Sequence, residues 1–203
     1  MNYIKAGVSE KSIATELEYL MKKYGADEIS FKTIAISGKN TSMPHGVPGA
    51  TTVKHGDFVT MDFGAVYDGY HSDMTRTVAV GCVSDRMADV YNTVLTAQMN
   101  AVTAVAPGAL ASNVDAVARS IITDSGYGDN FTHSTGHGVG LEIHESPNIS
   151  RINNDKLEVG NVITIEPGIY IESEFGVRIE DMVFVTETGF ECITKADKQL
   201  III

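Results

Sequence analysis

Cysteine occurs only twice in the 203 residues, at Cys82 and Cys192. No disulfide framework can therefore hold the chain, and two reduced thiols in a cytosolic protein are the ordinary reading. No window approaches the ~18–20 uninterrupted apolar residues of a membrane span, so no membrane association is expected. The opening segment MNYIKAGVSEKS reaches charge at Lys5 and has no apolar signal-peptide core, which points to the cytoplasm. Basic residues are scarce: 15 Lys+Arg stand against 26 Asp+Glu, for a net charge of −11. Such a surface repels phosphate backbones and argues against a nucleic-acid partner. Low-complexity runs and Pro/Ser-rich linkers are missing as well. With 43% hydrophobic and 20% charged residues, the composition is globular and excludes a disordered chain, a collagen-like repeat and a coiled coil. One domain over residues 1–203 is the simplest organisation.

Three stretches carry helical periodicity. Ser9 caps a segment with Ile13, Leu17, Leu20, Met21 and Tyr24 on one face, ended by Gly25. Ser84 precedes Met87, Val90, Tyr91, Val94, Leu95, Met99 and Val102, and Pro107-Gly108 stops the pattern. The third runs from about Leu110 to Ser125, with Val114, Val117, Ala118, Ile121 and Ile122 as its apolar face. Met87 and Met99 fall within the periodicity and read as core filler.

The remainder reads as strand and turn. Phe58–Val80, turning at Asp68-Gly69, and Val162–Val185, broken around Ser173–Gly176, have the pattern of hairpins. Laid over one another, VTMDFGAVYDGYHSDMTRTVAV and VITIEPGIYIESEFGVRIEDMVFV form a weak internal repeat. Each begins with a strand carrying an acid (Asp62, Glu166) and returns with a second (Asp73, Glu180). Two helices precede the second hairpin and one precedes the first, so the chain is expected to begin after a missing helix.

A two-residue turn pairs Tyr67 with Tyr70, hence Gly64 with Asp73 and Asp62 with Thr75. Asp62 and Asp73 become diagonal neighbours within ~7–8 Å on one face. The same counting sets Glu166 roughly opposite Glu180. A lone strand acid is ordinarily solvated or salt-bridged. Four in two pairs are harder to explain so, because carboxylates ~4 Å apart repel by ~1–4 kcal/mol. Arg76 and Arg178 are nearby in sequence but cannot neutralise four acids, whereas two divalent cations can. FTHSTGHGVGLEIHESP adds His133, His137 and His144, and its glycines make a helix improbable while letting an imidazole approach an ion closely. Donors of Asp, Glu and His without sulfur suit Mn, Co, Zn or Fe rather than Cu(I).

In order and in flanking sequence, Asp62, Asp73, His137, Glu166 and Glu180 resemble the five metal ligands of the pita-bread metallopeptidases. The words PHG at 44–46, MDFG, GYHSDMTRTVAVG, STGHGVG, HESP, TIEPGIY and GVRIEDMV carry the likeness. IEPGIY and GVRIED are similar to the aminopeptidase P and Xaa-Pro dipeptidase (prolidase) branch rather than to methionine aminopeptidases. The resemblance implies an α+β, creatinase/aminopeptidase-like pita-bread fold: a pseudo-twofold repeat of helices and antiparallel hairpins forming a curved sheet. It implies an exopeptidase that cuts between an N-terminal residue and proline with a hydroxide held between two divalent metals, manganese first, with cobalt, zinc or iron as alternatives. Asp62 would chelate one metal, Asp73 and Glu180 would bridge both, and His137 and Glu166 would complete the second. Glu166 would also shuttle the proton, His45, His133 and His144 would bind substrate and stabilise the oxyanion or leaving amine, and Arg178 would hold a ligand carboxylate or a substrate group.

Thr75 and Thr164 are candidates to bond the ligands, while His55 and His71 match no role. By strand parity His71 shares a face with Asp73, yet an ordinary turn histidine is expected there, and His55 is expected to be exposed. The resemblance further implies a single catalytic domain without the family's N-terminal domain and first catalytic-domain helix, a peptide substrate, and a homodimer for the full-length protein. The alternative is a non-catalytic pita-bread module binding peptides or proteins, disfavoured by the intact ligand set. A hydrolase of non-peptide amides such as creatine is disfavoured on the same ground.

Overall fold

The computed structural model describes residues 3–203. Helix α1 (Glu10–Lys23) starts where the Ser9 hydroxyl accepts the Ser12 N–H. Glu10 in its first turn and Lys22 and Lys23 in its last complement the helix dipole. Ser84 caps α2 (Asp85–Thr103) in the same way through the Met87 N–H, and α3 (Ala111–Asp124) follows the Pro107-Gly108 break.

The strands run in chain order: β1 (Glu28–Ile29), β2 (Ile34–Ser37), β3 (Phe58–Phe63), β4 (Ala65–Tyr67), β5 (Tyr70–His71) and β6 (Met74–Ala79) lie before α2. After α3 come β7 (Gly136–Gly138), β8 (Glu145–Ile149), β9 (Val162–Ile165), β10 (Gly168–Ile171), β11 (Phe175–Arg178), β12 (Asp181–Thr186) and β13 (Gly189–Cys192). The sheet orders are β2-β3-β6, β1-β4-β5, β10-β11 and β13-β12-β9-β7-β8. Every pairing of these strands is antiparallel. The fold is thus α+β, with the three helices backing antiparallel ribbons.

The first hairpin turns at Asp68 (φ 49°) and Gly69 (φ 79°), the left-handed pair that a two-residue turn requires. Tyr67 pairs with Tyr70 and Asp62 with Thr75, as the turn dictates. In the second hairpin Ile165 pairs with Asp181 and Gly168 with Arg178, so the intervening register sets Glu166 opposite Glu180. Its turn occupies 172–174, and Gly176 lies inside β11.

The pseudo-twofold repeat is visible in the register. Ser37 faces Val59 across β2/β3, and Gly138 faces Ile163 across β7/β9. Among the described residues helix α2 has no counterpart in the first half, and it packs with α3. The repeat breaks at the second acid. By hairpin register Thr75 corresponds to Glu180, so Asp73 corresponds to Arg178 rather than to Glu180.

Alternation then assigns the faces. In the larger core cluster, Val90, Tyr91, Val94, Val114, Ala118 and Ile122 of the helices meet Ile163, Ile165, Val177, Ile179 and Val183. In the smaller, Ile13 and Ala14 of α1 meet Ala35, Val59, Met61 and Val78. The intervening residues Asp62, Thr75, Thr164, Glu166 and Glu180 are left on the opposite side, where Asp62, Glu166 and Glu180 line a cleft. Two core expectations fail: Met99 is 45% exposed and Tyr24 81% exposed. Met99 sits at the edge of the α2 apolar stripe, where buried Gln98 occupies the inward position, and Tyr24 lies past the last turn of α1.

Candidate metal centre

The nine residues expected to bind metal or take part in catalysis line one cleft of about 980 Å³: His45, Asp62, Asp73, His133, His137, His144, Glu166, Arg178 and Glu180. Strand β3 supplies Asp62, the link to β6 supplies Asp73, and β7 supplies His137. Glu166 follows β9, and Glu180 lies between β11 and β12. His45 and His144 stand exposed at the rim, while His133 is partly buried. The flanking glycines let β7 fit between its neighbours. A Cβ at Gly136 would run into the Thr164 carbonyl, and one at Gly138 into the backbone of Glu145 and Ser146.

Asp73, His137 and Glu180 each offer a donor atom within 4.8 Å of the others. His137 Nε2 lies 3.6 Å from Asp73 Oδ2 and 3.4 Å from Glu166 Oε1. Its Nδ1 is 2.9 Å from the Gly138 carbonyl, which can only accept, so the proton sits on Nδ1 and the Nε2 lone pair faces the acids. Thr75 donates to Glu180 Oε2 at 2.7 Å, and Thr164 donates to Glu166 Oε1 at 3.3 Å while accepting the His137 N–H at 3.0 Å. Both threonines are therefore tied to the donors.

Arg178 pairs with Asp62 at 2.6 Å and donates to Thr75 Oγ1 and the Tyr170 hydroxyl. Arg76 turns to the other side of its strand, where it pairs with Asp181 at 2.7 Å. One guanidinium thus faces four carboxylates. Burial foremost, with the charges of Asp62 and Glu166, pushes the Asp73 carboxyl up to about 9. Burial pushes Glu166 up to about 8 despite the attraction of Arg178, and raises Glu180 well above the usual carboxylate range. Burial, helped by His144, lowers His137, and burial holds His133 at about 4. Asp62 Oδ1 and Asp73 Oδ1 are buried without any hydrogen-bond partner. A buried carboxylate cluster short of cations, with orphaned oxygens and an imidazole lone pair turned inward, fits divalent metal ions. Asp62, Asp73, His137, Glu166 and Glu180 are the residues that could hold them.

Tyr170 was not predicted to have a role. Its hydroxyl accepts from Arg178 Nη1 at 2.8 Å and lies 2.8 Å from His133 Nε2. His133 directs its Nδ1 proton to the Ser134 carbonyl at 2.8 Å, so the tyrosine O–H donates to Nε2. Strand parity was the available signal, because Tyr170 shares a face with Glu166. His71 stands outside the cleft lining: its N–H donates to the Gly140 carbonyl, and its Nδ1 is buried without a partner. His55 is exposed, with Nδ1 3.5 Å from Cys82 Sγ.

Comparison with known proteins gives one consistent answer. The model of Metallopeptidase family M24 matches residues 1–187. The Xaa-Pro dipeptidase of Pyrococcus furiosus is 48% identical over 198 residues, covering 98% of this chain and 57% of that protein. The solved structure of Xaa-Pro dipeptidase from Bacillus anthracis superposes with a TM-score of 0.98 at 50% identity, covering 100% of this chain and 57% of that one. The X-Pro aminopeptidase structure from Thermotoga maritima MSB8 gives 0.97 at 43% identity, with the same coverages of 100% and 57%. The chain thus spans 57% of the length of each.

Proposed function

The chain belongs to metallopeptidase family M24, and from that premise we propose that it forms the catalytic unit of an exopeptidase cleaving between an N-terminal residue and proline. The observation that carries the reading is the convergence of Asp73, His137 and Glu180 within 4.8 Å, joined by Asp62 and Glu166 in the same cleft. The full set of donors speaks against a non-catalytic binding module. Similarity to an Xaa-Pro dipeptidase and an X-Pro aminopeptidase supports the proline-directed specificity.

In this reading Asp62, Asp73, His137, Glu166 and Glu180 hold two divalent ions, manganese first, because the donors are oxygen and nitrogen without sulfur. Bound there, the ions supply Lewis acidity and a water acidic enough to attack at neutral pH. Glu166 takes up and returns the proton. His144, its ring centroid 4.3 Å from that of His137, faces the scissile bond with His45 and donates to the developing oxyanion or leaving amine, while His133, with both ring nitrogens engaged by Ser134 and Tyr170, walls the cleft against the substrate. Neutral His133 is held by Tyr170, and Arg178 fixes Asp62 rather than substrate. Residues 1–203 act as one catalytic unit, and homodimerisation of the whole protein belongs to the same reading. Unpaired Cys82 and Cys192 agree with a cytoplasmic site of action.

Hydrolysis of Ala-Pro and Ala-Pro-Ala, with Mn²⁺ and after chelation, tests the proposal. Metal-dependent release of alanine from either supports it, and the preferred length separates dipeptidase from aminopeptidase. Cleavage of Ala-Ala but neither proline peptide would overturn the specificity.

A further inference from the structure

We infer that Asp115 and Arg119 of α3 are positioning residues for His133, His137 and Glu166, acting through the backbone of residues 131–135. Asp115 is fully buried and meets Arg119 at both ends, Nε to Oδ2 and Nη2 to Oδ1, each at 2.8 Å. The pair does not stop at its own helix. Asp115 Oδ1 accepts the Thr135 N–H at 3.2 Å and its hydroxyl at 2.9 Å. Arg119 donates to the Phe131 carbonyl at 3.1 Å and to the His133 carbonyl at 2.9 Å, with its guanidinium 4.1 Å from the Phe131 ring centre.

Residues 131–135 belong to no helix or strand; the Thr135 N–H is shared with the Ile149 carbonyl at 2.9 Å, while the Phe131 and His133 carbonyls and the Thr135 hydroxyl are bonded by the ion pair. Their far end leads into the centre. The Thr135 carbonyl accepts the Glu166 N–H at 2.7 Å, and His137 lies two residues on. A buried ion pair adds little net stability over apolar residues of the same size. Its forked contacts with one irregular segment instead fix where that segment carries its imidazoles. Arg119 is suited to this because a lysine cannot hold a carboxylate and two carbonyls in one plane.

The inference rests on the reading of His137 and Glu166 as ion donors. Two kinds of variant test it. Arg119→Lys keeps the charge and loses the fork, while the double variant Asp115→Leu/Arg119→Met removes both charges and keeps the volume. Mn²⁺ titration calorimetry well below each melting midpoint is expected to show one of two binding steps weakened about 10- to 100-fold, the range for residues that orient metal ligands. Hydrogen exchange of the metal-free chain is expected to quicken about tenfold at 131–137 without a matching change along α3. Two unaltered Mn²⁺ steps in the double variant, beside two in the parent, would overturn the positioning role alone. Fewer than two steps in the parent would overturn the metal reading and this inference together. A fall in melting midpoint with unchanged affinities would show a purely structural pair and overturn it too.

Discussion

Asp62 and Asp73 each keep one carboxylate oxygen buried and without a donor, although Arg178 lies against the other oxygen of Asp62. Orphaned oxygens at this depth cost on the order of 1–3 kcal/mol or more each, so they need an account. A cation shared between the acids supplies one, and it separates two kinds of residue in the cleft. Asp73→Ala is expected to bind fewer than two ions per chain and to lose more than ~10²-fold in turnover, since a metal's Lewis acidity is worth several kcal/mol. Metal analysis after dialysis, beside peptide hydrolysis, checks it. His144→Ala is expected to keep both ions and to lose about 10²–10³-fold in kcat/KM, as for a removed transition-state donor. A drop in its metal content would place His144 among the ligands instead. At this scale the gathering of the four acids was legible because acids within apolar hairpin sequences are chemically out of place, and that of His137 because glycines flank it. Tyr170, Asp115 and Arg119 were not, because a strand tyrosine and an i,i+4 acid–arginine pair on a helix are ordinary surface patterns until their burial is known.

Strand β7 shows how an element presents a residue. It is three residues long, and its two glycines admit the neighbouring backbones that a side chain would push away. Gly136→Ala is therefore expected to separate β7 from β9, loosening the His137 N–H bond to Thr164 and weakening ion binding more than tenfold. Ion titration checks this, with the melting midpoint measured in parallel. Helix boundaries were legible from Ser9, Ser84 and the Pro107-Gly108 break, which act locally. The first hairpin was legible because a two-residue turn leaves one register. Strand β7 was not, since Gly-His-Gly has no period to read. The unequal placement of Asp73 and Glu180 was hidden for another reason: the longer second turn shifts the returning strand, so sequence overlay pairs acids that the register does not. Met99 was misplaced because a helical stripe drifts, and position 98 rather than 99 turns inward.

For the whole molecule, an excess of acids makes cation binding and folding a single linked problem. The folded, metal-free chain holds protons on Asp73 to about 9 and on Glu166 to about 8, while the ordinary values are 3.8 and 4.5. A raised folded pKa means that the folded state binds more protons, so this stability is full at low pH and lost as pH rises through 8 and 9. His133, lowered from 6.5 to about 4, acts in the opposite sense and only below 6.5. Between pH 6.5 and 9 the chelated chain is therefore expected to melt lower as pH rises, by ~4 °C or more, and Mn²⁺ is expected to reverse the trend while releasing protons. Calorimetric scans across that range check the sign. The central claim, that five side chains from two β-ribbons and one glycine-flanked strand gather to hold a pair of dications, is tested most directly by anomalous diffraction from crystals of the Mn²⁺-loaded chain. The account predicts two peaks in the cleft, each within reach of these donors. A single peak, none, or peaks away from these five donors would contradict it.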